Sequence, residues 1–138
     1  MKVLLAGGSG FIGSHLAEEL VKREYEVTVL DNLSSGLRDN LKSIRDKITF
    51  IRGDVTEFKT VEQFDYVINF ASNASRKEWE RYPVEIALTN SLGSRNLIEI
   101  ALKSKALYIY ASSSEVYGDP SFWIMFRQRH KIEVTIRR

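Results

Sequence analysis

The chain has no cysteine, only two histidines and only two prolines. Without cysteine it cannot form disulfides or thiolate metal sites. The two histidines, His15 and His130, are too few for a histidine-rich metal cluster. We therefore predict no metal site, and any chemistry must come from other side chains or from a bound organic group.

Long apolar runs and an excess of one charge are also missing. No stretch approaches the ~20 apolar residues of a membrane-spanning helix, and the N-terminal run Val3–Ala6 is too short for a signal-peptide core. We therefore expect a cytoplasmic protein without a membrane partner. The formal net charge is +2 and the basic residues are mixed with acidic ones, which argues against a nucleic-acid partner.

Short apolar runs alternate with amphipathic stretches along the 138 residues, a length sufficient for one domain. The runs predict six strands: Val3–Ala6, Glu26–Leu30, Ile48–Ile51, Tyr66–Phe70, Leu107–Ala111 and Ile132–Ile136. The other stretches predict helices: Phe11–Arg23, Asn40–Arg45, Thr56–Gln63, a long helix from Pro83 to Leu102, and Met125–His130. This alternation predicts an α/β fold, a doubly wound parallel sheet of about six strands with helices on both faces.

The most informative motif is the glycine-rich turn Gly7-Gly8-Ser9-Gly10-Phe11-Ile12-Gly13. It follows a predicted strand and opens a predicted helix, the context in which such a turn binds a diphosphate. Gly7 would allow the tight turn, Gly10 the close approach of a phosphate, and Gly13 the packing of helix on strand. A plain strand–helix turn is the alternative interpretation.

Two acidic positions refine this hypothesis. Asp31 ends the second predicted strand, 18 residues after Gly13, close to the ~20 expected for a carboxylate that binds a ribose. Such a carboxylate favours NAD over NADP, although Arg38 could instead reach towards a phosphate. Asp54 and Val55 follow the third strand, where they could hold an adenine ring or, equally well, cap the next helix.

With these residues in place, the chain resembles the extended short-chain dehydrogenases/reductases, the NAD-dependent epimerase/dehydratase family of nucleotide-sugar enzymes. Three further segments carry the resemblance from Met1 to about Trp123: Phe70-Ala71-Ser72-Asn73-Ala74-Ser75, Thr89–Leu97, and Ser112-Ser113-Ser114-Glu115-Val116-Tyr117-Gly118. The resemblance implies a Rossmann-type domain and a nucleotide-sugar substrate such as a UDP-sugar. Members of the family often dimerise through the long helix, which the helix pattern here does not itself show.

Residues that contact the cofactor follow from the glycine turn, the acidic positions and the resemblance. The predicted set is Gly7, Gly10, Phe11, Ile12, Gly13, Asp31, Asn32, Ser35, Gly36, Asp54, Val55, Phe70, Ala71, Ser72, Thr89, Ala111 and Ser112. Two catalytic residues come from the resemblance alone. Ser113 would bind the sugar hydroxyl that is oxidised, and Glu115 would orient or exchange protons near the ring, unless it only begins a helix.

The run from Ser114 to Pro120 is similar to that of UDP-glucuronate decarboxylases. The resemblance thus implies oxidation at C4 of the sugar, loss of carbon dioxide and re-reduction. The alternative is a catalytically silent NAD-binding domain or fragment, because none of the six tyrosines has a lysine four residues later, as the base of the family has.

The Tyr–Lys segment that the resemblance implies is missing near residues 123–124, and we expect the C-terminal substrate domain of the family to be absent as well. We therefore expect residues 1–138 to form the NAD-binding domain alone. Three explanations remain open: a join across an omitted stretch, an internal deletion in the gene, and a natural NAD-binding remnant.

Overall fold

The computed structural model describes residues 1–113 and residue 116. Its strands are β1 (Lys2–Ala6), β2 (Glu26–Asp31), β3 (Ile48–Arg52), β4 (Tyr66–Asn69) and β5 (Leu107–Tyr110). Its α-helices are α1 (Phe11–Lys22), α2 (Arg76–Arg81), α3 (Pro83–Leu88) and α4 (Ser94–Ser104). A 3₁₀ turn covers Arg38–Leu41, and a π-helical turn at Thr89–Gly93 joins α3 to α4.

The five strands form one parallel sheet in the order β3-β2-β1-β4-β5. β1 pairs with β2 on one side and with β4 on the other, so Leu4 lies opposite Thr28 and Val67. The chain order therefore reverses at β1 and β4. Ligands of open α/β sheets bind at such a switch point, outside the carboxyl ends of the strands.

Both faces of the central strand β1 are buried, which explains why its residues from Val3 to Ala6 are all apolar. Leu4 and Ala6 point into the core covered by α4, whereas Val3 and Leu5 point into the core covered by α1, and all four are fully buried. A parallel strand with helices on both sides needs apolar residues at every position. The predicted doubly wound α/β fold is confirmed.

Two predicted elements differ from the structure, and one was missed. The predicted helix Thr56–Gln63 is wrong: only a turn forms after Asp54, and residues 58–64 are irregular. The short helix predicted at Asn40–Arg45 is instead the 3₁₀ turn Arg38–Leu41, followed by further turns. Helix α2 was not predicted, because its six residues are charged or exposed and bury nothing.

The long helix is present but interrupted by the π-helical turn. The sixth predicted strand, Ile132–Ile136, and the helix Met125–His130 lie outside the described residues.

Candidate functional site

The glycine turn joins β1 to α1 beside the end of β4. Gly7 has a φ of +77°, a conformation that side chains rarely adopt. A Cβ there would lie 2.6 Å from the carbonyl carbon of Phe70. The Gly7 N–H donates to the Leu30 carbonyl at 2.9 Å, so the turn also touches the end of β2. Gly7 thus allows the ends of three strands to meet.

Gly10 and Gly13 lack a side chain at two places where one would take up room, beside the start of α1 and under the turn. Gly10, the residue before α1, has a φ of −71°, open to any residue. A Cβ there would meet only the Gly7 oxygen, at 3.3 Å, so a larger side chain would extend into open space beside the helix start. A Cβ at Gly13 would overlap the Gly7 carbonyl. The first-turn N–H groups of α1 therefore stay accessible and carry a partial positive charge.

Asp31 connects β2 to this turn. The residue is 8% exposed, and its carboxylate accepts hydrogen bonds from the Ser9 N–H and the Leu33 N–H, both at 2.8 Å. The carbonyl of Ser9 in turn accepts from the Leu37 N–H at 3.1 Å and from the Asn40 side chain at 2.8 Å. The loop after β2 is thereby folded against the glycine turn.

Asp54 fixes the turn after β3. One carboxylate oxygen accepts from the Thr56 N–H at 2.9 Å and the Thr56 hydroxyl at 2.7 Å, and the other accepts from the Asn32 amide at 2.9 Å. Burial by itself would raise the pKa of Asp54, but these hydrogen bonds together hold it below its usual value. Asp54 is therefore an ionised acceptor at neutral pH.

Asn69 organises the segment after β4. Its oxygen accepts from the Ala71 N–H at 3.0 Å, and its amide donates to the Tyr108 hydroxyl at 3.0 Å and the Ser94 hydroxyl at 3.1 Å. Burial raises the pKa of Tyr108, and the hydrogen bonds with Asn69 and Ser94 only partly oppose this. Tyr108 therefore stays protonated at neutral pH and is a buried structural group.

These segments enclose a cavity of about 430 Å³ at the carboxyl edge of the sheet, a volume typical of small-molecule sites. Twelve of the predicted cofactor residues line it: Gly7, Gly10, Asp31, Asn32, Ser35, Gly36, Asp54, Val55, Phe70, Ala71, Ser72 and Thr89. Five others do not: Phe11, Ile12, Gly13, Ala111 and Ser112.

Each of the five has a clear location. Phe11 and Ile12 begin α1 with 80% and 64% of their surface exposed, and Gly13 packs under the turn. Ala111 and Ser112 follow β5, and the described residues that line the cavity include none from that end.

Sequence reasoning missed seven lining residues: Leu30, Ser34, Gly53, Asn73, Tyr82, Glu85 and Ile86. A signal for three of them was available. Tyr82, Glu85 and Ile86 precede Thr89 by seven, four and three residues, the spacing of one helix face. The charged side chains among the described lining residues are all carboxylates, namely Asp31, Asp54 and Glu85.

Of the two predicted catalytic residues, the structure describes Ser113 but not Glu115. Ser113 is exposed and lies three residues after β5, and its carbonyl accepts from the Val116 N–H at 3.3 Å. Glu115 lies outside the described residues.

Within residues 1–113 and 116, no three acidic, histidine or cysteine side chains are grouped to hold a metal. No helix of the same part is long and apolar enough to cross a bilayer.

The geometry agrees with sequence comparisons. A model of the NAD dependent epimerase/dehydratase family matches residues 3–133. UDP-glucuronic acid decarboxylase 5 of Arabidopsis thaliana is 41% identical over 123 residues, which are 87% of this chain and 36% of that protein. UDP-N-acetyl-alpha-D-glucosaminuronate decarboxylase of Bacillus cytotoxicus is 40% identical over 121 residues, 85% of this chain and 38% of that protein.

A solved structure agrees as well. UDP-glucose 4-epimerase of Thermus thermophilus, in complex with NAD, superposes with a TM-score of 0.70 at 36% identity, over 82% of this chain and 38% of that chain. The chain therefore spans little more than a third of the length of these relatives. The prediction of NAD as the cofactor is confirmed at the level of the family. By its fold, its glycine turn and the match over residues 3–133, the chain belongs to the NAD dependent epimerase/dehydratase family.

Proposed function

We propose that this chain binds NAD in the cavity at the carboxyl edge of the sheet. The observation that carries the proposal is the convergence of the glycine turn, Asp31 and the Asp54-Val55 turn around one space. These groups come from the ends of three different strands, so their meeting is a property of the fold. A plain strand–helix turn would not need Gly10, whose backbone conformation any residue can adopt.

The residues present fit the parts of the cofactor. The diphosphate would lie at the start of α1, where Gly10 leaves room and the N–H groups favour an anion. Asp31 would accept hydrogen bonds from the ribose hydroxyls, and Asp54 with Val55 would hold the adenine. Phe70–Ser72 and Thr89 would border the nicotinamide half.

We further propose that the chain is the cofactor-binding part of a nucleotide-sugar enzyme, most similar to UDP-glucuronate decarboxylases. When bound, NAD supplies a reversible hydride acceptor for oxidation of the sugar. Ser113 would bind the sugar hydroxyl, and Glu115 would orient the ring or exchange protons beside it. The names of the relatives and the run from Ser114 to Pro120 support the decarboxylase assignment.

A second candidate function is NAD binding without catalysis, in regulation or assembly. One observation favours it: no tyrosine of the chain is followed by lysine at the fourth position. Tyr108 cannot replace that base, because burial raises its pKa and its hydroxyl accepts from Asn69. Sequencing the complete gene separates the two functions, since a Tyr-x-x-x-Lys segment between Trp123 and Ile124 would restore the enzyme.

Calorimetric titration of the 138-residue chain with NAD tests the shared part of both functions. The wild-type chain should bind NAD, and Gly10→Val should fold but lose binding, because its side chain fills the space beside α1. The matched control is Ser91→Ala, whose exposed hydroxyl donates to the Ala87 carbonyl four residues earlier and which does not line the cavity. Undiminished binding by Gly10→Val would contradict the proposed location of the diphosphate.

A further inference from the structure

The side chain of Asn96 connects helix α4 to the turn after β3. Its amide nitrogen donates to the Val55 carbonyl at 2.8 Å and to the Phe58 carbonyl at 2.5 Å. An amide NH₂ group has two hydrogens, so both are used. Asn96 is 41 and 38 residues distant from these partners in the chain, so the contact is a purely tertiary one.

Helix α4 approaches this turn closely at a second point. Gly93, one turn before Asn96, has no side chain, and a Cβ there would lie 2.5 Å from Cγ2 of Val55. The helix is itself firmly held, because Leu97, next to Asn96, is fully buried in the core against the sheet. Val55 is therefore fixed from two directions, by contact with Gly93 and through its carbonyl by Asn96.

The carbonyls that Asn96 binds belong to the turn that presents Asp54 and Val55 to the cavity. The turn closes through the Phe58 N–H, which donates to the Asp54 carbonyl at 2.9 Å. Asn96 donates to the Val55 carbonyl, which in an α-helix would accept from the N–H four residues later. The chain makes a single turn here, with Asp54 and Val55 at the edge of the cavity.

We propose that Asn96 is a positioning residue for the adenine end of the cofactor site, acting through the turn from Val55 to Phe58. The inference rests on the proposed binding of NAD and adds a residue that does not line the cavity. Asn96 sets where Asp54 and Val55 stand relative to α4. Loss of its donors should weaken recognition of adenine and leave the nicotinamide half unaffected.

The test compares fragments of the cofactor. NAD, AMP and nicotinamide mononucleotide are titrated into the complete 138-residue chain by calorimetry or NMR, well below the melting temperature. Asn96→Asp keeps the size of the side chain but replaces the NH₂ donor with a carboxylate oxygen, which cannot donate to the two carbonyls. It should raise the Kd for AMP and NAD about tenfold, a loss of about 1.4 kcal/mol of binding free energy, because the turn that carries Asp54 and Val55 loses both hydrogen bonds to α4; the Kd for nicotinamide mononucleotide should be unchanged. Asn96→Ser, which keeps one donor, should have an intermediate effect and remains the test variant if the aspartate variant does not fold.

The matched control is Arg95→Ala, on the same helix and exposed, where the side chain pairs with Glu99 at 3.0 Å. It should bind all three compounds like the wild type. Wild-type affinity for AMP in the Asn96 variants would overturn the inference. An equal loss of affinity for all three compounds would also overturn it, because it would indicate a general loss of folded structure. If the wild-type chain binds neither NAD nor AMP, the proposed function fails and the inference fails with it.

Discussion

The carboxylate of Asp31 accepts a hydrogen bond from the backbone N–H of Ser9 at 2.8 Å, across 22 residues of sequence. Its second oxygen accepts from the Leu33 N–H. One buried carboxylate therefore holds together the end of β2, the loop after it and the glycine turn. Because Asp31 also lines the cavity, the group that organises the site is the same group that we expect to recognise a ribose.

The first prediction concerns cofactor preference. NAD should raise the melting temperature of the chain more than NADP does, because the Asp31 carboxylate accepts from ribose hydroxyls and repels an additional phosphate. Thermal unfolding with equal concentrations of the two cofactors measures the difference. Equal shifts, or a larger shift with NADP, would contradict the role given to Asp31.

The second prediction concerns Asp31, which holds the glycine turn in place and which we also expect to bind a ribose. Asp31→Asn should lower the free energy of unfolding by about 1–3 kcal/mol, the usual cost of a lost buried acceptor, because its NH₂ group would face a backbone donor. It should also reduce the preference for NAD. Denaturant unfolding and titrations with both cofactors test this, with Asp39→Asn, an exposed aspartate, as the control. A fully stable variant would show that the bond to Ser9 contributes little.

The third prediction concerns Arg38, which the sequence left open as a phosphate ligand. Its guanidinium carbon lies 4.1 Å from the centre of the Phe50 ring. Arg38→Ala should therefore cost about 0.5–1 kcal/mol of stability, the usual worth of an exposed cation–π contact, and leave the ratio of NAD to NADP affinity unchanged. A selective loss of NADP affinity in the variant would instead show that Arg38 reaches a phosphate.

The fourth prediction is a pH dependence. Hydrogen bonds from Thr56 and Asn32 outweigh burial and hold the pKa of Asp54 below its usual value. A lowered pKa means that the folded state binds its proton less readily than the unfolded chain, whose aspartates titrate near ~3.9. The stability from Asp54 is thus present above about pH 4 and lost as the pH falls further.

Asp54→Asn should accordingly show a shallower loss of stability below about pH 4, measured by denaturant unfolding at a series of pH values. The exposed Asp46→Asn serves as the control and should keep the wild-type slope. An Asp54→Asn profile that parallels the wild type would mean that the hydrogen bonds do not favour the charged form.

The fifth prediction is the absence of turnover. The 138-residue chain should not release carbon dioxide from UDP-glucuronate in the presence of NAD, because it has no tyrosine followed by lysine at the fourth position, and an ordinary tyrosine has a pKa of about 10. Release of labelled carbon dioxide measures this, with a full-length decarboxylase as the positive control. Measured turnover would show that another group acts as the base.

Local patterns in the sequence were sufficient for most of the fold. Short apolar runs predicted all five described strands, with each end correct to within one residue, because the strands of a parallel sheet that helices cover are mainly apolar. The prediction failed at Thr56–Gln63, where the Val55 carbonyl bonds to Asn96. A partner 41 residues away leaves no local signal.

The candidate site also combines features that local sequence predicts with features that depend on tertiary contacts. The sequence by itself determined the glycine turn, the helix α1 that follows this turn, and the acidic residue at the end of β2, because each depends on a few adjacent residues and their backbone preferences. Only the tertiary structure decided that Gly53 and Asn73 line the cavity, that Arg38 lies against Phe50, and that Asn96 holds the turn beside Asp54. Those relationships depend on the order of strands in the sheet and on how α4 packs against it, which are set by contacts between residues far apart in the chain.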